Sequence, residues 1–160
     1  AEALGLLTEA MGLVAQVDNR SLACMVRGRY GEHLLATGRV PEAAEELDGA
    51  IATREASDVP GLESWMFYGS LAVARARLGD FDAAFSLLAQ GQDLLRDTHV
   101  TEYARILCRR CEVQRLAGDA EAARTSLDAA AEIADAHGFE PAFRLSREIA
   151  EQRSGLDEAS

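Results

Sequence analysis

The chain has 160 residues, of which 48% are hydrophobic, 27% charged and 6% aromatic, a composition that predicts one soluble globular domain and excludes collagen-like, mucin-like and disordered proteins. Its 27 acidic residues outnumber its 16 basic ones, all of them Arg, and the net charge of -11 disfavours nucleic acid as a partner, because phosphate backbones are bound by basic surfaces. No run approaches the roughly 18 apolar residues of a membrane span, and residues 1-20 lack the cationic start and apolar centre of a secretory signal.

The chain opens on a predicted helix at residues 1-17. Ala3, Leu7 and Ala10 lie at positions i, i+4 and i+7, which share one face of an α-helix. Because the same triplet recurs later as the second helix of a helical pair, we interpret this segment as half of a repeat unit and the chain as a fragment of a longer protein. The apolar stripe that such an unpaired helix exposes consists of Leu4, Leu7, Met11 and Val14. It favours a homodimer of the fragment as one alternative use of this surface.

Further units follow at intervals close to 40 residues, the kind of period that repeat proteins show. The triplets are Ala43, Leu47 and Ala50; then Ala84, Leu88 and Gly91; then Ala123, Leu127 and Ala130. Counted from Ala3, successive triplets begin 40, 41 and 39 residues apart. The repetition predicts a half unit at 1-17, full units at 19-57, 58-97 and 98-137, and a capping helix at 139-153.

Each full unit carries the signals of a helical hairpin. Glycine tolerates the left-handed conformation that ends a helix, so the first helices, at about 20-37, 61-78 and 99-117, are predicted to end at Gly38, Gly79 and Gly118. An aspartate can accept the free N–H groups of a first turn, and proline suits the first helical position. These start signals are Asp80, Asp119, Pro41 and, for the last helix, Pro141. The small residues expected where two helices pack most closely are Gly31, Ala72 and Cys111.

The remaining segments are predicted to be linkers or a frayed end. Asp58 to Gly61 and residues 136-141 carry turn residues, and the polar tail from Ser154 to Ser160 is expected to fray. No segment of five or more residues alternates as a strand would. The sequence therefore predicts an all-α protein.

The glycine turn followed by the triplet resembles the second half of a tetratricopeptide repeat. Tyr68, Leu71 and Ala72 resemble the aromatic, Leu and small positions of that family's first helix. Units of 39 to 41 residues exceed the usual length of about 34 and are similar to the longer repeats in large bacterial regulators, such as MalT-like activators and some serine/threonine kinases. The resemblance implies an all-α, right-handed superhelical solenoid of antiparallel helix hairpins, with about eight helices.

The resemblance also implies a concave groove lined by the first helices. Its positions in this chain are Met25, Gly28, Glu32, Met66, Gly69, Val73, Arg77, Arg105, Cys108, Glu112 and Arg115. Arg105, Arg109 and Arg115 concentrate positive charge at one end, which favours an acidic or carboxylate-bearing peptide because guanidinium groups pair with carboxylates at two points. The alternative is a solvated face on which these arginines pair with Glu102 and Glu112 along the helix. The Lys and Asn of the family's chaperone-tail clamp are absent from these positions, so that specialised function is set aside.

Cys108 and Cys111 form a C-x-x-C sequence that redox enzymes and zinc sites also use. Both fall in the middle of a predicted helix, and no second ligand pair is present, so we predict structural packing and keep a thiol redox or metal-dependent enzyme as the alternative. His33, His99 and His137 are isolated and are predicted to lie at the surface or at helix ends. The three cysteines favour a reducing cytoplasm over a disulfide framework.

Trp65, Met66, Phe67 and Tyr68 are the densest aromatic cluster, interpreted as core between hairpins or as an exposed anchor for a partner. No nucleophile triad and no phosphate-binding glycine loop occur. The sequence thus predicts a protein or peptide-binding, or ligand-sensing, scaffold without catalysis or cofactor, with the parent chain's other domains among the candidate partners.

Overall fold

The computed structural model of this chain describes residues 2-14, 19-55, 64-140 and 143-158. Within those ranges the protein consists of helices and turns, without strands, which confirms the all-α prediction. The helices are α1 (Glu2–Val14), α2 (Arg20–Ala36), α3 (Val40–Glu55), α4 (Tyr68–Arg77), α5 (Phe81–Leu95), α6 (Val100–Leu116), α7 (Ala120–Ala136) and α8 (Arg144–Asp157), with a short 3-10 helix (Ser64–Phe67) before α4. None of the described helices combines the length and the hydropathy that a bilayer crossing requires.

Consecutive helices pack as hairpins, α2 with α3, α4 with α5 and α6 with α7. In the first hairpin Gly31 faces Leu47, and the thiol of Cys24 donates to the carbonyl oxygen of Ala50 at 3.2 Å, so the two helices run antiparallel. The three turns contain the predicted glycines, whose φ angles are 81° at Gly38, 86° at Gly79 and 84° at Gly118. The predicted role of glycine in ending the first helices is therefore confirmed.

The small-Leu-small triplets of α3, α5 and α7 form the centre of the hydrophobic core. All nine of their residues are buried. One core cluster joins α2 to α6, and a second joins α6, α7 and α8. The first helices also contact one another in order, α2 with α4, α4 with α6, and α6 with α8. This packing brings side chains of α2, α4 and α6 to one side of the protein.

The helix starts follow the sequence signals closely. The carboxylate of Asp80 accepts from the Ala83 N–H at 3.1 Å, and that of Asp119 accepts from the Ala122 N–H at 3.0 Å, which confirms both as N-caps. Asn19 caps α2 in the same way, at 2.9 Å from the Leu22 N–H. Pro41 lies one residue inside α3, which begins at Val40, so the prediction of a first-position proline was off by one.

Replacing Asp119 by Ala is expected to lower the free energy of unfolding by about 1 kcal/mol, because the first turn of α7 loses its side-chain acceptor. Asp128 lies exposed in the middle of the same helix and caps nothing, so Asp128→Ala serves as the matched control. That change is expected to be neutral or slightly stabilising, since Ala has the higher helix propensity. Urea denaturation followed by circular dichroism measures both, and equal effects would contradict the capping role.

Two helices differ from the prediction. Within the described residues, the helix expected at 61-78 is a 3-10 helix from Ser64 to Phe67 and α-helical from Tyr68, while residues 61-63 and the linker at 58-61 lie outside the described residues. The last helix runs to Asp157 rather than ending at 153, so the predicted frayed tail is wrong as far as that residue. Leu156 is buried in the second core cluster with Leu145 and Ile149, and this burial holds the extra turn in place.

The exposed apolar surface of α1 also differs from the predicted stripe. Val14 is buried, Leu7 and Met11 are half-buried, and the side chain of Leu4 lies outside the described ones. The leucines that face solvent are instead Leu6 and Leu13. The predicted stripe is the side that α1 turns toward α2, which it contacts.

Candidate functional site

A row of charged and polar side chains links the first helices across one side of the protein. The hydroxyl of Ser70 on α4 donates to Glu32 on α2 at 3.0 Å. Arg77 on α4 donates to Glu112 on α6 at 2.7 Å. We refer to this surface as the first-helix face, and define it by Glu32, Ser70, Arg77, Arg105, Arg109 and Glu112. These contacts fix the relative positions of α2, α4 and α6 with polar groups, of which Ser70 and Glu112 are buried.

Two adjoining pockets open on the first-helix face. The first is a shallow cleft with a cavity volume of about 20 Å³, lined by Trp65, Met66, Gly69, Ser70, Leu95, Glu102, Arg105, Ile106 and Arg109. The second has a cavity volume of about 90 Å³ and is lined by Glu32, Leu35, Ala36, Ser70, Arg77 and Arg109. Ser70 and Arg109 belong to both, so they form the boundary between a pocket with an aromatic and aliphatic wall and a mainly polar pocket.

Arg105 is held by carboxylates from two directions. Its guanidinium donates to Glu102 on the same helix at 2.7 Å and to Glu148 on α8 at 3.2 Å. Only 14% of the side chain is exposed. Burial alone would lower the pKa of Arg105, but the charges of Glu148 and Glu102 outweigh it and the pKa is raised. Arg105 is therefore an internal ion-pair partner. This agrees with the alternative in which the arginines pair with glutamates along the same helix.

Arg109 is less fully paired. Its guanidinium approaches Glu112 at 3.5 Å, while the same carboxylate lies 2.7 Å from Arg77. Glu112 is buried and its one carboxylate serves two arginines, while Glu102 lines the first pocket and Glu32 the second. The stem of Arg109 crosses Gly69, where a Cβ would lie 2.9 Å from the Arg109 Cγ. Glycine at this position lets the guanidinium lie between the two pockets.

Several residues predicted to line the groove are not accessible on this face. Val73 is fully buried in the core, so the prediction that it lines the groove is wrong. Cys108 is buried as well, and Gly28 lies beneath the ring of Phe67. The predicted groove residue Met25 packs against the first core cluster.

Arg115 is separated from the other arginines of α6. It lies beside Gly155 of α8, and its Nε is buried without a hydrogen-bond partner among the described residues. It lines neither of the two pockets. The positive end expected from Arg105, Arg109 and Arg115 is thus divided into one paired arginine, one pocket arginine and one arginine under α8.

The aromatic cluster divides between the core and the first pocket. Phe67 and Tyr68 are buried in the core, whereas Trp65 and Met66 are half-buried and line the first pocket. The Trp65 ring stacks on the ring of His99, with centroids 4.9 Å apart. His99 is the residue that precedes α6, which agrees with its predicted position at a helix end.

The two cysteines of the C-x-x-C sequence are packed inside α6. Both are free thiols, and burial raises the pKa of Cys108 to about 12 and that of Cys111 to about 11. A nucleophilic or metal-binding thiol needs the opposite shift, because the thiolate is the reactive form. The described residues contain no group of His, Cys, Asp or Glu side chains arranged to hold a metal ion. The geometry supports structural packing for this pair.

The sequence pattern missed some residues of the pockets. Ser70, Leu95 and Ile106 become neighbours only because α4, α5 and α6 pack together. Glu148 reaches Arg105 across 43 positions of sequence, a distance at which no helical spacing applies. Ser70 is adjacent to Gly69, an aligned groove position on α4, and this adjacency is its one local signal in the sequence.

Comparison with known proteins adds no family to this description. The chain matches no protein-family model, no curated protein and no solved structure.

Proposed function

We propose that the hairpins and α8 stack as a right-handed solenoid resembling a tetratricopeptide repeat domain, and that this domain is a binding scaffold of a larger bacterial signalling or transcription regulator. The ordered contacts of α2, α4, α6 and α8 support this architecture, because in a solenoid each unit packs on its neighbour. The nearly regular spacing of the glycine turns, 41 and 39 residues apart, and of the buried triplets supports it as well.

The observation that carries the proposed function is the pair of pockets that meet at Ser70 and Arg109. An extended peptide or a protein loop that crosses this boundary meets the apolar wall of Trp65 and Met66 on one side and charged groups on the other. Concave sites of this kind, apolar with a few placed polar groups, are where ligands bind in proteins. Arg109, whose contact with Glu112 is long at 3.5 Å, is the group that we expect to pair with a carboxylate of that peptide.

Arg109→Glu is expected to weaken peptide binding at least tenfold, about 1.4 kcal/mol, because it replaces the pocket cation by an anion. Peptides are selected from a random library on the wild-type protein, and their affinities are measured by fluorescence. The chain has a single tryptophan, Trp65, which lines the first pocket and reports its occupation directly.

Arg110→Glu is the matched control, since Arg110 is the next residue of α6 but donates to Gln92 of α5, away from the two pockets. Its effect on affinity is expected to stay within about twofold. If selected peptides leave Trp65 fluorescence unchanged and tolerate Arg109→Glu as well as Arg110→Glu, they bind elsewhere and the proposed site is wrong.

A further inference from the structure

We propose that the cavity between α6 and the first two turns of α7 binds a zwitterionic amino acid or short peptide. We call this cavity the hairpin cleft. Its volume is about 490 Å³, more than five times that of the second pocket on the first-helix face. Six of its seven lining residues are polar or charged, namely Arg110, Gln114, Asp119, Glu121, Thr125 and Ser126.

The hairpin cleft lies on the side of α6 that is turned away from the first-helix face. Arg110 and Gln114 are four residues apart, so they share one side of the helix. Arg109 and Glu112 of the first-helix face lie about 100° and 200° around the helix axis from Arg110. The hairpin cleft shares no lining residue with either pocket of that face, so this inference does not depend on the proposed function.

Two buried polar side chains form one wall of the hairpin cleft. Gln114 is 8% exposed and Ser126 is 7% exposed. The amide nitrogen of Gln114 donates to the Ser126 hydroxyl oxygen at 2.7 Å and to the carbonyl oxygens of Arg110 at 3.2 Å and Ala122 at 3.1 Å. These hydrogen bonds join α6 to α7, so the cavity has a fixed polar wall.

The register of α6 shows that core packing does not account for Arg110. Eight residues before the turn glycine, the second hairpin has Leu71, which is 1% exposed, and the first has Tyr30, which packs against the core. Arg110 instead donates to Gln92 of α5 at 2.6 Å, and Gln92 is itself 8% exposed. A buried amide thus directs the guanidinium, which has further N–H groups to offer a ligand.

The charged groups of the hairpin cleft do not pair with one another. Arg110 forms no ion pair with a described residue, although Asp119 and Glu121 line the same cavity. The two carboxylates disfavour a simple anion, and the guanidinium disfavours a simple amine. A zwitterion satisfies both, because its carboxylate pairs with Arg110 and its ammonium group lies near the acidic side chains.

The hydroxyl of Thr125 favours a ligand that also carries a peptide N–H. It donates to the carbonyl oxygen of Glu121 at 3.1 Å, so its oxygen is left to accept from a ligand. Ala122 is the one apolar residue of the lining, which gives a large apolar side chain little surface to contact. The hairpin cleft is therefore suited to a short stretch of peptide backbone with free ends.

The probes are glycine, diglycine and triglycine, zwitterions of increasing charge separation, titrated into the isotope-labelled intact protein and followed by NMR. The amide signals of Ala122, Thr125 and Ser126 are expected to shift with at least one probe, with a Kd of about 1 mM, as suits ligands of this size. Acetylating the amino group or amidating the carboxyl group of that probe is expected to weaken binding at least tenfold. Fluorescence of Trp65, which lines the first pocket, is expected to stay unchanged.

Arg110→Met and Glu121→Gln are each expected to weaken binding at least tenfold, because each removes one charge from the hairpin cleft. Glu121 is exposed, so its variant tests the proposal even if Arg110→Met unfolds the protein. The matched controls are Arg147→Met and Glu151→Gln, at exposed positions of α8, with changes within about twofold expected.

Three results would overturn the proposal. Absence of shifts with all three probes at about 20 mM would mean that no ligand of this class binds. Equal binding of the acetylated probe would mean a site for a carboxylate alone. Shifts that persist unchanged in both Arg110→Met and Glu121→Gln would mean that the probe binds outside the hairpin cleft.

Discussion

Iodoacetamide is expected to alkylate Cys108 of the folded protein at pH 7 about a thousandfold more slowly than a free cysteine, and Cys111 about a hundredfold more slowly. Only the thiolate reacts, and each unit by which the pKa rises lowers the thiolate fraction tenfold. Burial raises the pKa of Cys108 from 9.0 to about 12 and that of Cys111 from 9.0 to about 11. Both rates are expected to rise with pH, as the thiolate fraction does.

The control for slow alkylation is the same protein in urea, where both thiols should react at the rate of a free cysteine. Mass spectrometry of digested samples assigns the rate to each residue. Rapid alkylation of either cysteine in the folded state would contradict the packing and restore a thiol enzyme as the better function. The raised pKa values also have a consequence for stability. Above about pH 9 the thiols of the unfolded chain ionise while the buried ones do not, so the free energy of unfolding falls as pH rises.

Local physics explains why much of the fold could be predicted. The left-handed φ at Gly79, the N-cap at Asp80 and the buried triplet that begins at Ala84 each depend on a few neighbouring residues, and all three are present as expected. The boundaries that failed depend on distant contacts. Leu156 is buried with residues of α6 and α7 in the second core cluster, and this burial keeps α8 helical to Asp157. Its spacing of seven residues from Ile149 continues the apolar face of α8, but a single leucine in a polar tail does not show that neighbouring helices cover it.

The helices that carry the candidate site could be predicted from the sequence, but the complete set of ion pairs in the site could not. Helical spacing correctly brought Arg105 near Glu102 and Arg109 near Glu112. It could not separate the roles of the two arginines, because the second carboxylate on Arg105 comes from Glu148 of α8, and the competitor for Glu112 is Arg77 of α4. The availability of a charged group depends on every helix packed against it, and only the tertiary structure shows that.

Phe67→Ala is expected to lower the free energy of unfolding by about 3–5 kcal/mol, because removal of a fully buried aromatic ring leaves a large cavity. The side chain is 0% exposed, and its 3-10 helix contacts α2, α3, α4 and α5, so the ring joins two hairpins. Phe143→Ala removes the same group at a position that is 44% exposed, and a loss below about 1 kcal/mol is expected there.

Gly28 provides the decisive test of how Phe67 stabilises the fold. The ring occupies the space that a Cβ at Gly28 would need, so Gly28→Ala should destabilise the wild-type protein by forcing the ring away. In the Phe67→Ala background that space is empty, and the same substitution should cost little or fill part of the cavity. Urea denaturation of the four proteins gives the coupling energy between the two positions. Additive losses would mean that α2 and the ring do not share this space, and the packing of the first two hairpins would have to be assigned differently.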